Sequence, residues 1–194
     1  MSNIFNDQGR LYTLDTDDII TLWNHLATSG TPARGLKSIW IDKICLRPSA
    51  ASNSVEFHTL QVSKTPTIDI DDDTFTVTST SRITDDSGTI FSGAAIGDWV
   101  NIHSSPTSGN NTGWYYINAV AGGNTYIDVE DDTNALTDEA NKIYSMDIYT
   151  PEKCIHLVSR GTEVVTEKFD GKKKHFINLG MKALTAGAVD IYIA

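Results

Sequence analysis

Cysteine is nearly absent, with only Cys45 and Cys154 in 194 residues. Two such residues make neither a disulfide framework nor a zinc ligand set of usual spacing. Both read as small apolar residues in strands, which suits synthesis in a reducing cytoplasm. No run approaches eighteen apolar residues, so a membrane-spanning helix is excluded. The opening MSNIFNDQGRLYTLD has no basic n-region and no apolar h-region, and the expectation is therefore no secretory signal. Positive charge is scarce too. Fifteen Lys and Arg face 25 Asp and Glu, a net charge of −10, whereas nucleic-acid binding needs a basic footprint. There is no GxSxG elbow, Walker loop, GxGxxG or HExxH. These absences point to a non-enzymatic protein without cofactor, metal, nucleic-acid or membrane partner.

What is present is an ordinary globular composition, 40% hydrophobic and 21% charged, which argues against wholesale disorder. The acidity is unevenly spread. Residues 66–150 hold fourteen acids against Arg82 and Lys142, a balance of −12, while the flanks hold eleven acids and thirteen bases, a balance of +2. Two charge regimes in one chain suggest two modules, the acidic one inserted into the other at Pro66 and Pro151.

DTDDIITLWNHLATSG (15–30) has the pattern of a helix. Asp15 or Thr16 can cap it, Asp17 and Asp18 suit its positive end, and Ile19, Leu22, Trp23 and Leu26 recur at helical spacing before Gly30. Everything after it reads as strand and turn. KSIWIDKICL and SVEFHTLQVS are strand-like, the second changing apolar phase between Phe57 and Leu60 as a bulge would. Short Thr-, Ser-, Asn- and Gly-rich strands follow Pro66, spaced as in a small antiparallel barrel or sandwich. Beyond Pro151 the first texture resumes, with an Asp170-Gly171 hairpin expected between Val165 and Phe176. The expected fold is mainly β. An antiparallel β-sandwich (36–65 plus 151–194) is interrupted by a small β-barrel or sandwich domain (66–150), with an N-terminal arm and α-helix (1–35).

The acidic run Asp69, Asp71, Asp72, Asp73 invites comparison with a calcium loop. Counting from Asp69, the turn glycine and the bidentate glutamate of such a loop are replaced by Thr74 and Thr80. Ile68 and Ile70 alternate with Asp69 and Asp71, so a strand with one wet face is the better reading. Asp85-Asp86 and Glu130-Asp131-Asp132 fall at turns, where Asp is common for conformational reasons; a glycosidase-type carboxylate pair is the alternative. The histidines at 25, 58, 103, 156 and 175 stand singly, though His58 and His156 could meet across a sheet. Trp99, Trp114, Tyr115, Tyr116 and Tyr126 could form a sugar-stacking platform, but alternation in WYYIN sends at least two rings inward, and a small barrel needs such filling.

GDWVNIH, the loop SSPTSGNN and TGWYYINAV together resemble a pattern of tailed-bacteriophage virion proteins. There a Gly-Asp turn opens one strand and an Asn-x-Gly-x-Tyr-x-Ile step opens the next. The carrying residues are Gly97, Asp98, Val100, Ile102, Asn111, Gly113, Tyr115, Ile117 and Val120, preceded by SGTIFSGAAI (87–96). FINLGMKALTAGAVDIYIA is similar to the closing hairpin of small phage structural β-sandwiches. The resemblance covers about half the chain and rests on turn and packing residues. It implies a capsid decoration or cement protein that binds the major capsid protein, self-associates as a homotrimer and is made in the host bacterial cytoplasm for the virion. A tail, neck or fibre component, or a carbohydrate-binding host-recognition module, is the alternative. The arm and helix residues Phe5, Leu11, Tyr12, Trp23 and Leu26 are the expected partner contacts, unless they cover the protein's own sandwich.

Overall fold

A computed structural model of the chain describes residues 4–6, 11–14, 20–21, 38–61, 63–79, 81–104, 111–130, 136–169 and 174–193. These form strands and turns, with no helix among the described residues. The strands gather into two compact units. One takes the described residues up to Leu60 together with those from Glu152 onward; the other is Gln61–Pro151.

The first unit is a sandwich. One sheet runs β1 (Ile4–Asn6), β2 (Leu11–Leu14), β16 (Ala188–Ile193), β4 (Ser38–Arg47), with β13 (Val165–Lys168) and β14 (Lys174–Ile177) both on β4's far side. The other runs β12 (Glu152–Val158), β5 (Ser54–Thr59), β15 (Gly180–Leu184), β3 (Ile20–Thr21). Alternation turns Ile39, Ile41, Val189 and Ile191 of one sheet and Val55, Phe57, Ile155 and Met181 of the other into a single buried cluster. This is the usual way two half-apolar sheets hide their inner faces.

Three local expectations are corrected here. β13 and β14 do not pair with each other as the hairpin expected at Asp170-Gly171 would require. β13 pairs Val165↔Leu46 to Lys168↔Lys43, and β14 pairs Lys174↔Ile41 to Ile177↔Ser38, so the two segments follow one another along β4. Ten residues of open β4 edge outcompete a local turn signal; residues 170–173 lie outside the described residues. The closing segment is not a hairpin either, because β15 and β16 belong to different sheets. The turn between them arches across the sandwich at Gly187, whose φ is +95° and where an added Cβ would run into the Arg47 carbonyl oxygen. The phase change after Phe57 marks the end of β5 at Thr59, not a bulge. Leu60 stays buried past that end, its N–H donating to the Ile177 carbonyl at 2.9 Å.

Of the expected helix, Ile20–Thr21 form β3, paired with Gly180–Met181; the rest of residues 15–30 lies outside the described residues. A β-branched pair beside an available sheet edge is open to tertiary override of a weak helical preference.

The second unit is a closed antiparallel barrel in the order β10 (Tyr126–Glu130), β7 (Arg82–Asp85), β6 (Ile68–Thr78), β11 (Glu139–Tyr149), β8 (Trp99–Ser104), β9 (Gly113–Val120), with β9 pairing back to β10. Ile70, Phe75, Val77, Ile83, Val100, Tyr115, Ile117, Tyr144 and Met146 fill the interior, joined by Phe91 from a connecting loop. Buried polar groups hold the ends. Asn111 donates through Nδ2 to the Thr137 carbonyl (3.0 Å) and to Tyr144 Oη (2.9 Å), and accepts from the Thr137 N–H (2.7 Å). Asp98, 2% exposed, accepts from the Ala95 N–H at 2.9 Å beside Gly97, whose φ is +100°. The Gly-Asp step is thus a turn device, as its composition implies.

Candidate functional site

The acidic run lies on β6, where a β-bulge decides its geometry. Pairing with β11 steps from Asp73↔Tyr144 to Ile70↔Met146, so Asp71 and Asp72 share the place opposite Ser145, with Asp72 at φ +52°. Ser145 Oγ donates to Asp72 Oδ1 (3.0 Å) and accepts from the Asp72 N–H (3.2 Å). Asp73 accepts from the Thr74 N–H at 2.7 Å. These bonds tie one carboxylate to a hydroxyl across the ladder and the other to the next backbone N–H, spread around a bulge. No group of three or more His, Cys, Asp or Glu is placed to hold a metal ion among the described residues.

The neighbouring turn acid is structural. Asp85 is 5% exposed and accepts from the Ser87 N–H and Oγ (both 2.7 Å) and the Ile90 N–H (2.8 Å). Burial pushes its carboxyl up, but those donors outweigh it and hold the group below its ordinary value.

The barrel's outer wall is more suggestive. Met146, Ile148, Val100, Ile102 and Tyr115 point inward, so alternation turns Asp147, Asn101 and Trp114 outward. Register aligns them in one lateral row, Asp69↔Asp147↔Asn101↔Trp114, across β6, β11, β8 and β9. Tyr149 adjoins the row, its ring centroid 5.2 Å from that of Trp114 and its hydroxyl donating to Asp147 Oδ2 at 3.2 Å. Burial first, and the Asp147 carboxylate next, push the Tyr149 phenol above its ordinary value, which keeps it a neutral donor. His103 Nε2 stands 3.4 Å from the same carboxylate oxygen. The side chains of Asp69 and Asn101 make no hydrogen bond among the described residues.

The rings proposed as a platform are therefore not equivalent. Tyr115 is interior; Trp99 and Tyr116 are buried at 1% and 7% exposure, their centroids 5.6 Å apart. Tyr126 lies under the Arg82 guanidinium at 3.8 Å, and Arg82 makes a bidentate pair with Asp128. Among the described residues, Trp114 is the one of the five that is half-buried on the outer wall without a cation over it. Tyr149, absent from the sequence-derived platform, joins it because β11 passes beside β8.

On the sandwich, Glu56, His58, Lys153 and His156 share the outer face of the second sheet, with His58↔Lys153 and His156↔Glu56 in register. Glu56 Oε1 is 2.5 Å from His58 Nε2, and Oε2 is 2.6 Å from Lys153 Nζ. His58 first and Lys153 second hold the Glu56 carboxyl down at about 2. Cys154 is a half-buried thiol pushed up to about 12 by burial, and Cys45 is buried. Neither has the setting of a reactive thiolate.

Of the expected partner contacts, Phe5 lies on β1 and pairs with Tyr12 on β2; Leu11 is half-buried opposite Tyr192. Trp23 and Leu26 lie outside the described residues. At the opposite edge, Val158, Arg160, Glu163, Val164 and Thr166 line a trough of about 740 Å3, with Val158 and Val164 largely exposed.

No protein-family model matches the chain. No curated protein and no solved structure matches it either.

Proposed function

We propose that the protein is a non-enzymatic structural component of a tailed-phage virion, a decoration or cement protein that binds the outer surface of the capsid. The observation that carries this reading is the placement of an edge hairpin on the less acidic unit. β1 and β2 bring Phe5, Leu11 and Tyr12 to the margin of a sheet whose outermost strand pairs on one side only among the described residues. An open edge with apolar positions suits docking by strand pairing and side-chain burial. Residues 61–151 meanwhile carry fourteen acids against three bases, a charge that favours a solvated, outward-facing module. The strand-and-turn motifs around Gly97–Val120 add to the phage setting.

Docking of the protein to the major capsid protein, with self-association as a homotrimer, follows from this reading. Purified protein is expected to co-sediment with undecorated capsids, and Leu11→Asp to weaken that binding at least tenfold. Light scattering is expected to give three times the 21.2 kDa chain mass. Protein that stays in the supernatant with intact capsids removes the decoration role and leaves the tail, neck or fibre alternative.

A further inference from the structure

We propose that the outer wall of the barrel is a binding site for a neutral oligosaccharide, formed by Asp69, Asp147, Asn101, Trp114 and Tyr149. The site belongs to the barrel itself and goes beyond the docking role assigned to the sandwich.

Three properties of the row carry the proposal. First, its chemistry is that of a sugar surface. Trp114 and Tyr149 offer apolar rings for the C–H face of a pyranose, while carboxylates and an amide offer acceptors and donors for its hydroxyls. With strands about 4.8 Å apart, four positions in register span about 14 Å, the reach of a short oligosaccharide. Second, the polar groups are available. Asp69 is exposed, Asn101 half-buried, and neither side chain spends its hydrogen-bonding capacity within the described residues. Asp147, by contrast, accepts from Tyr149 Oη at 3.2 Å, with His103 Nε2 3.4 Å from the same oxygen. One oriented carboxylate thus stands beside two uncommitted groups.

Third, the arrangement opposes stability. Asp69 and Asp147 are direct cross-strand partners on the same face, and like charges so placed destabilise a sheet. Barrel closure does not require acids at either position, since the core alternates beneath them. The same pair repels uronic and sialic acids, so the ligand class is uncharged.

Soluble mannan and the N-acetylglucosamine tetramer serve as neutral probes, hyaluronan as an acidic one, with the full-length protein titrated calorimetrically. At least one neutral probe is expected to bind and hyaluronan not to bind. Trp114→Ala is expected to weaken binding at least tenfold and Asp69→Asn about fivefold. Trp40→Ala, which removes a half-exposed tryptophan of the sandwich, serves as the control and is expected to leave binding unchanged. Asp69→Asn also separates binding from folding, because relief of the like-charge pair is expected to raise the melting temperature while affinity falls. A flat response to both neutral probes overturns the proposal, as does equal loss in Trp40→Ala and Trp114→Ala, or unaltered affinity in Asp69→Asn. Capsid co-sedimentation is a separate readout, so either assignment can fail without the other.

Discussion

In the barrel every strand has a neighbour on both sides, whereas among the described residues the sandwich has β1, β3, β12, β13 and β14 paired on one side only. The difference bears on how each unit can carry charge and make contacts. Closure abolishes free backbone edges, so the barrel's outer wall presents side chains alone, and it holds an acidic surface without inviting strand addition. The sandwich places Phe5 and Tyr12, on the paired strands β1 and β2, at one such edge and the Val158–Val164 trough at another. The proposed recognition by side chains is therefore placed on the barrel, and the proposed docking by strand pairing on the sandwich.

The largest expected way to break this comparison is Gly187→Ala. A side chain there meets backbone, with Pro48 Cα at 3.0 Å and the Arg47 carbonyl nearer still, at a φ of +95°. Backbone has little room to yield, and a loss of at least about 2 kcal/mol is expected. Hydrogen exchange by segment should show β16 and β4 losing protection while β6 and β11 keep theirs. Equal losses in both units would mean that the turn does not serve the sandwich alone.

Asp85→Ala is the converse, expected to strike the barrel by about 2 kcal/mol because three donors lose one buried acceptor. The Asp85 carboxyl lies below its ordinary value, so its contribution is present above about pH 4 and fades as acid protonates the folded group. The difference between native protein and variant should shrink on acidification. A constant difference would show that the loss comes from packing.

The smallest expected effect is that of Glu56→Gln on the sandwich surface, about 1 kcal/mol at neutral pH because the ion pairs are partly solvated. Its carboxyl is held at about 2 against 4.5 unfolded. The stabilisation is therefore complete above pH 4.5 and lost as pH falls towards 2. Urea midpoints of the native protein and variant should converge over that window. Unchanged separation at pH 3 would remove His58 and Lys153 as the cause.

Much of the strand content was legible from branched and aromatic alternation, and a small antiparallel barrel or sandwich from the spacing of turn residues; only strand pairing decided that it closes as a barrel. The misread places share a cause. Asp170-Gly171 has hairpin chemistry, and Leu184 to Gly187 resembles a closing turn. Yet each flanking strand found a longer partner elsewhere, β4 for β13 and β14, and β5 for β15. Ile20–Thr21 likewise joined β15. Of the candidate site, Trp114 could be singled out as an aromatic, but its row could not. Asp69, Asp147, Asn101 and Trp114 are separated by 13 to 78 positions in the chain, and no local pattern relates them.

By itself the sequence determined that most segments after residue 36 would be strands and that the acidity would be concentrated in one stretch. Those are properties of neighbouring residues: alternation, φ preference and composition. Only the tertiary structure decided that an aspartate bulge is bonded to Ser145, that one tryptophan of the platform is buried while another is half-exposed, and that two carboxylates, an amide and an indole share one row. Register between distant strands sets all three. It is fixed by the fit of whole apolar faces around a closed barrel, a sum over residues that no single motif contains.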